Sequence, residues 1–196
     1  GAHARPLGIP REDELVGAGI SYCATCDGAF FKEKDVAIVG GGDTAISDAL
    51  YLSRFCKSVT VVHRRDEFRA AAVLVDLAKT VPNIHFALSC VPLSLKGEKQ
   101  VEGLEILDKK TSVARMLPVS GVFVAVGILP RTELVKDLVK LNEAGSIVTD
   151  EFMRTSIAGV FAAGDIRNTP LRQVITACAD GAVAATTALE YCACHG

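Results

Sequence analysis

Residues 36–45 read Val36-Ala37-Ile38-Val39-Gly40-Gly41-Gly42-Asp43-Thr44-Ala45. Four apolar residues lead into a G-x-G-x-x-A pattern, which is typical of the strand, turn and helix of a dinucleotide-binding βα unit. Gly40 would permit the tight turn and Gly42 the approach of a pyrophosphate, while Ala45 lets the helix pack on the strand. The alternative is an ordinary glycine-rich βα turn. The order of strand, turn and helix favours the nucleotide site.

Apolar patterning on both sides of this turn predicts an α/β fold. Strands are predicted at residues 35–39, 58–62 and 84–87, with helices over 44–55 and 66–79. Alternating segments over residues 91–117 predict an antiparallel meander, and residues 119–126 a further apolar strand. Together these segments predict a Rossmann-like domain with a central parallel sheet and an antiparallel β-meander.

A second domain is predicted after Gly127-Ile128-Leu129-Pro130, which interrupts the pattern. Strands are predicted at residues 146–149 and 160–163, and a long alanine-rich helix at 171–191. The second strand ends in Gly164-Asp165, and an Asp there often bonds a ribityl or ribose hydroxyl, although turn-capping is the ordinary interpretation. The helix opens at Arg172-Gln173-Val174, where its dipole could stabilise negative charge on a reduced ring.

The end of the second strand indicates which nucleotide is bound. An NAD site usually places Asp or Glu there to hold the ribose 2′-hydroxyl. This chain has His63-Arg64-Arg65, with Arg69 one helical turn later. Guanidinium groups can bind a 2′-phosphate in a bidentate manner, so the cluster favours NADP over NAD. The alternative is a solvated basic face, and Asp66 is predicted to cap the following helix.

Residues 23–28 read Cys23-Ala24-Thr25-Cys26-Asp27-Gly28. Such a C-x-x-C pair forms either a redox disulfide or half of a zinc site. A structural zinc needs four ligands, which this chain offers only if Cys192, Cys194 and His195 fold back. Spacing therefore favours a redox pair with no metal, and Asp27 is placed to exchange protons with the leaving thiolate.

Composition excludes several classes of protein. With 49% hydrophobic and 22% charged residues, the chain is predicted to be globular. Its formal charge of -2 argues against nucleic acid as the main partner, and no apolar run reaches the roughly 18 residues that span a bilayer. Seven cysteines beside a nucleotide motif predict a cytoplasmic enzyme with one redox pair. No signal peptide is expected, because residues 1–14 lack an apolar h-region. Cys56, Cys90 and Cys178 are predicted to be buried, and the C-terminal Cys-Ala-Cys-His is predicted to fray.

Taken in order, these motifs resemble the low-molecular-weight thioredoxin reductases, flavoenzymes with two dinucleotide-binding domains. The resemblance covers essentially the whole chain. It rests on the C-x-x-C-D-G and glycine motifs already quoted, and on three further segments: His63-Arg64-Arg65-Asp66-Glu67-Phe68-Arg69-Ala70, Gly121-Val122-Phe123-Val124-Ala125-Val126-Gly127 and Gly159-Val160-Phe161-Ala162-Ala163-Gly164-Asp165.

The resemblance implies a role for each motif. NADPH would reduce FAD, FAD would reduce the Cys23–Cys26 disulfide, and the dithiol would reduce thioredoxin in a homodimeric enzyme. Cys26 would face the flavin, Cys23 would attack thioredoxin and Asp27 would donate the proton. Cofactor contacts are expected at Gly40, Gly42, Asp43, Thr44, His63, Arg64, Arg65, Arg69, Val126, Gly127, Gly164, Asp165, Arg172, Gln173 and Val174.

The chain departs from this family at its beginning. The family starts with an FAD half-domain that carries its own G-x-G-x-x-G, and no such region is present here. The expected division is therefore an NADP-binding domain at residues 7–127, carrying the redox pair, and a remnant of the FAD-binding domain at residues 1–6 and 128–196. Two alternatives stay open: a reductase of another disulfide carrier, such as a peroxidase system, and a non-catalytic NADP-binding module.

Overall fold

The computed structural model describes residues 1–195 of the 196-residue chain. Its strands are β1 (Ala2–Ala4), β2 (Ile20–Ser21), β3 (Asp35–Gly40), β4 (Ser58–Val62), β5 (Ile84–Ala87), β6 (Cys90–Lys96), β7 (Gly103–Asp108), β8 (Val113–Leu117), β9 (Gly121–Ala125) and β10 (Ile128–Pro130). Its α-helices are α1 (Ala24–Asp27), α2 (Asp43–Leu52), α3 (Ala72–Thr80) and α4 (Val174–His195).

Residues 4–127 form one compact unit around a five-stranded sheet. The strand order is β2-β9-β3-β4-β5, and every neighbouring pair is parallel. Parallel sheets are covered on both faces, which is why β3 is buried from Val36 to Val39. Ile46 and Leu52 of α2 pack on one face, and Leu104 of the antiparallel β6-β7-β8 sheet packs on the other. This architecture confirms the predicted α/β fold class.

Two helix boundaries differ from the prediction. α2 ends at Leu52 rather than at residue 55, and α3 begins at Ala72 rather than at Asp66. The backbone N–H groups of Arg69 and Ala71 donate to Gly41 and Asp43, so they are not used within a helix. Residues 66–71 therefore form a loop, and the prediction that Asp66 caps the helix is wrong.

One carboxylate on α2 is half-buried and makes stability depend on pH. Burial raises the pKa of Asp48 to about 6. Between the unfolded value near 3.8 and the folded value, the folded protein binds the proton more tightly, so stability falls as pH rises across this window. Asp48→Asn should therefore stabilise the chain by about 1–2 kcal/mol at pH 8, allowing for partial solvent access, and not at pH 4.

Urea unfolding at pH 4, 6 and 8 measures this effect. Asp76→Asn is the matched control, because it removes one acid from the exposed face of α3. If Asp48→Asn raised the free energy of unfolding equally at all three pH values, the raised pKa of Asp48 would be contradicted.

Residues 1–3 and 128–195 form a second unit. It contains the two-stranded β1-β10 sheet, a small core around Val139, Ile147 and Ala162, and α4. Residues 4–6, predicted with residues 128–196, cluster instead with the larger unit. Gly196, the last residue of that predicted domain, lies outside the described residues. The cofactor of each unit stays a prediction.

Three predictions for this second unit are wrong. Residues 146–149 and 160–163 form only isolated bridges: Ile147 bridges Leu141 and Arg167, and Phe161 bridges Arg154. α4 runs on through Cys192 and Cys194 to His195, so the tail is helical rather than frayed. Cys178 is exposed on α4, whereas Cys56 and Cys90 are buried as predicted. In residues 1–195, no helix is both long enough and apolar enough to cross a membrane.

Candidate active site

Cys23 and Cys26 form a disulfide at the start of α1, with Cα atoms 5.3 Å apart. Cys23 is the N-cap residue of this short helix, and its Sγ accepts a hydrogen bond from the backbone N–H of Cys26 at 3.2 Å. Cys26 is exposed and Cys23 half-buried. A backbone donor aimed at Cys23 Sγ favours negative charge on that sulfur once the disulfide is reduced.

Ser21 joins the predicted acid to the disulfide turn. Its hydroxyl donates to Asp27 Oδ2 at 2.7 Å, and its Oγ accepts the backbone N–H of Cys23 at 3.1 Å. Ser21 is 3% exposed, so these bonds are sheltered from water. The sequence does not predict a role for Ser21, because it lies outside the C-x-x-C-D-G motif and six residues before its partner Asp27. The arrangement holds the Asp27 carboxylate beside the redox pair.

A buried carboxylate supports the segment before the disulfide. Glu12 is 3% exposed and accepts hydrogen bonds from the backbone of Leu7 and Gly8 and from the hydroxyl of Tyr22, all at 2.8 Å. Burial raises the pKa of Tyr22, and its bond to Glu12 raises it further. Nothing in the sequence separates Glu12 from its acidic neighbours Asp13 and Glu14, whose side chains are not buried. The run 11–14 predicts only a charged connector.

Close packing requires two of the three glycines of the turn, Gly40 and Gly41. A Cβ on Gly40 would lie 2.5 Å from the carbonyl oxygen of Ala125 and 2.8 Å from Cβ of Ala45, so close packing excludes a side chain. A Cβ on Gly41 would overlap the imidazole ring of His63. Gly42, the N-cap of α2, faces open space. The turn therefore leaves room on its outer side at Gly42, where the first turn of α2 presents backbone N–H groups and the positive end of its dipole.

An open cavity of about 320 Å³ lies beside this turn. From the predicted set it brings together Gly40, His63, Arg64, Arg65, Arg69 and Val126. Gly42, Asp43, Thr44 and Gly127 are not among its lining residues. The lining also includes Arg5 and Cys90, neither of which is predicted as a site residue because both lie outside the motifs. None of the described lining residues is acidic.

His63 connects the glycine turn to the basic residues. It is 6% exposed, its ring stacks on Phe68 with centroids 5.3 Å apart, and its Nε2 lies 3.0 Å from the carbonyl oxygen of Glu67. Burial lowers the pKa of His63, and the neighbouring arginine charges lower it further, although the Glu67 carbonyl opposes this. His63 therefore packs in the wall of the cavity, where its lowered pKa favours the uncharged imidazole.

The predicted residues of the second unit lie around one turn. Asp165 is in a short 3-10 helix, Gly164–Ile166, rather than at the end of a strand. The Arg172 guanidinium donates to the carbonyl oxygen of Asp165 at 3.5 Å, and α4 begins at Val174 after Gln173. The half-buried Asp165 carboxylate accepts no hydrogen bond from residues 1–195. It is available to a ligand hydroxyl.

Asp180 of α4 holds this turn, which the sequence does not predict. Its carboxylate accepts Arg167 Nε at 2.6 Å, Arg167 Nη2 at 2.9 Å and the backbone N–H of Gly164 at 3.0 Å. Gly164 needs its glycine because its φ is +78°. The bond from Arg167 lowers the pKa of Asp180, which is 8% exposed.

Comparison with known proteins gives a consistent result. Residues 1–181 match the family model described as pyridine nucleotide-disulphide oxidoreductase. A thioredoxin reductase from Streptomyces clavuligerus is 48% identical over 194 residues, which cover 98% of this chain and 60% of that protein. A second from Peptoclostridium acidaminophilum is 45% identical, covering 97% and 62%. The chain thus spans about three fifths of the length of these relatives.

Solved structures show the same likeness. The crystal structure of a thioredoxin reductase from Streptococcus pyogenes matches with a TM-score of 0.91 and 45% identity, covering 97% of this chain and 63% of that one. The thioredoxin reductase from Giardia duodenalis matches with a TM-score of 0.91 and 37% identity, covering 98% and 64%. Fold and sequence therefore point to the same group of proteins.

Proposed function

Because the chain belongs to the pyridine nucleotide-disulphide oxidoreductase family, we propose that it is part of an NADPH-dependent flavoprotein that reduces thioredoxin. One observation carries the proposal: the Cys23–Cys26 disulfide, with Asp27 beside it, lies in the same unit as an arginine-lined cavity at a βα glycine turn. The relatives quoted above are named thioredoxin reductase. A homodimer and a cytoplasmic location remain predictions.

The cavity fits NADPH by its charge. Arg64, Arg65, Arg69 and Arg5 line it, without an acid among the described lining residues. A carboxylate would repel a 2′-phosphate, whereas guanidinium groups bind phosphate with paired hydrogen bonds. The N-terminus of α2 after Gly42 would receive the pyrophosphate.

The turn in the second unit fits FAD by its hydrogen bonding. The Asp165 carboxylate accepts no hydrogen bond from the described residues, and Arg172, Gln173 and Val174 stand at the N-terminus of α4. Gly164 and Asp165 would hold the ribityl chain, and the start of α4 would lie against the flavin ring. When bound, NADPH supplies a hydride and FAD carries the electron pair to the disulfide.

The chain's own residues then act as a dithiol. Two electrons and two protons convert the disulfide to two thiols, with Asp27 held by Ser21 to exchange a proton. The Cys23 thiolate, stabilised by the Cys26 N–H, attacks one sulfur of the partner's disulfide, and the other partner sulfur leaves as a thiolate that takes a proton. The Cys26 thiol then loses its proton and attacks the mixed disulfide at Cys23. This step restores the Cys23–Cys26 disulfide and releases the second partner thiol.

Trapping the mixed disulfide tests this proposal with the chain itself. The exposed Cys178, Cys192 and Cys194 are first replaced by serine. The reduced chain, as Cys26→Ser or Cys23→Ser, is mixed with a single-cysteine thioredoxin that carries thionitrobenzoate in disulfide linkage. The Cys26→Ser chain should release coloured thionitrobenzoate at least about tenfold faster than the Cys23→Ser chain.

The control is glutathione carrying the same thionitrobenzoate group. If thioredoxin reacts no faster than this small disulfide, thioredoxin is not the partner, and another disulfide carrier should be offered. A faster reaction of the Cys23→Ser chain would reverse the roles of the two cysteines. No reaction of either chain would leave only a nucleotide-binding module.

A further inference from the structure

Three of the cations in the cavity come from one exposed segment. The arginine loop, residues 64–71, joins β4 to α3 and carries Arg64, Arg65 and Arg69, all of which are exposed. A mobile segment must lose conformational freedom before its guanidinium groups can converge on one phosphate, and that loss weakens binding. Contacts that hold the loop in place beforehand therefore strengthen binding without touching the ligand.

Two backbone N–H groups of the arginine loop, those of Arg69 and Ala71, donate hydrogen bonds to the segment around the glycine turn. The backbone N–H of Arg69 donates to the carbonyl oxygen of Gly41 at 2.8 Å. Two residues later, the backbone N–H of Ala71 donates to Oδ1 of Asp43 at 2.7 Å. The first tie joins main chain to main chain, so only the second depends on a side chain.

Asp43 lies beside the cavity rather than in its wall. It is the first residue of α2, it is exposed, and it is absent from the cavity lining. A carboxylate in direct contact with a phosphate would repel it, so such a contact between Asp43 and the nucleotide is unfavourable. The hydrogen bond from the Ala71 N–H instead indicates that the carboxylate holds the arginine loop in place.

We propose that Asp43 is a positioning residue for the 2′-phosphate of NADPH: by accepting the Ala71 N–H it fixes the arginine loop against the glycine turn. This inference rests on the proposed NADPH site and revises the expected direct contact of Asp43 with the cofactor. In this role Asp43 acts through its side-chain oxygen, which accepts the hydrogen bond from Ala71, and its negative charge is not needed.

Three variants separate the acceptor from the charge. Asp43→Asn keeps an oxygen acceptor and removes the charge, whereas Asp43→Ala removes both. Ala71→Pro removes the donor and leaves Asp43 intact, and the φ of −54° at Ala71 lies within the range of proline. Asp76→Ala, on the exposed face of α3, is the matched control for loss of one charge.

The measurement is calorimetric binding of 2′,5′-ADP and 5′-AMP, which differ by the 2′-phosphate. Asp43→Ala and Ala71→Pro should each reduce the preference for 2′,5′-ADP about tenfold, and their combination should reduce it no further. Asp43→Asn and Asp76→Ala should keep the preference within about twofold. Hydrogen exchange at Arg69 should accelerate in Asp43→Ala and not in Asp43→Asn.

The outcomes that overturn the inference are distinct. A wild-type chain without a preference for 2′,5′-ADP overturns the NADPH site, and this inference falls with it. If the wild type has the preference and both Asp43→Ala and Ala71→Pro keep it, only the positioning role falls. Equal changes in Asp43→Ala and Asp43→Asn would show that the charge acts, which also overturns the inference. Should Asp43→Ala fail to fold, Ala71→Pro and Asp43→Asn still decide.

Discussion

Replacing Arg64 and Arg65 with alanine should remove most of the preference for 2′,5′-ADP over 5′-AMP. Both guanidinium groups line the cavity and have no acidic neighbour in its lining. Each can make charge-assisted hydrogen bonds to a phosphate, and truncating such pairs costs about 2–5 kcal/mol when they are shielded from water. Affinity for 2′,5′-ADP should therefore fall by roughly 30-fold or more. Affinity for 5′-AMP should change little.

Calorimetric titration of both ligands at fixed ionic strength measures this difference. The control is Arg54→Ala with Lys57→Ala, which removes two exposed cations near the opposite end of α2 from the glycine turn. Because exposed charges act at long range and are screened by salt, this control also reports the general electrostatic contribution. An equal loss for 5′-AMP and 2′,5′-ADP would refute the 2′-phosphate site, since both ligands share every other group.

The parallel sheet could be predicted because its strands are buried on both faces. Residues 36–39 are all apolar, without the alternation of apolar and polar residues that marks a strand with one solvent-exposed face. The glycines that follow indicate where the strand ends. The same reasoning fails for residues 160–163, which are apolar, and for residues 146–149, of which Ile147 and Val148 are apolar, because both segments form only isolated bridges. Apolar residues indicate burial, whereas a strand also needs a partner of matching length.

Residues that act through distant partners could not be predicted. α3 begins later than its sequence pattern predicts because Gly41 and Asp43, far away in sequence, accept the N–H groups of Arg69 and Ala71. Glu12 and Asp180 are acids in sequence, but their partners are backbone and side-chain groups that only the folded chain brings together. The role of Ser21 is recognised only from the hydrogen bond that its hydroxyl donates to Asp27 in the folded chain. Sequence motifs therefore identify the residues expected to react or bind cofactor, whereas the residues that position them are identified only from the fold.

Asp180→Ala should destabilise the second unit by about 3–5 kcal/mol, because it breaks a buried ion pair. The side chains of Arg167 and Asp180 are 14% and 11% exposed, so the remaining guanidinium would be left largely buried without its partner. The backbone N–H of Gly164 would lose its acceptor as well. Arg167→Met in the same chain removes the unpaired charge and should restore part of the loss. The double-mutant cycle should therefore give a clear coupling energy.

The folded Asp180 has a lowered pKa, so its contribution is present above the unfolded value near 3.8 and is lost as pH falls through the folded value. Because a chain of two units need not unfold in one step, hydrogen exchange in α4 and at Gly164 is the appropriate measurement. Glu190→Ala is the control, since Glu190 is exposed on the same helix. If Asp180→Ala accelerates exchange no more than Glu190→Ala does, the ion pair does not support the turn at Asp165. The proposed flavin site would then need another explanation for its geometry.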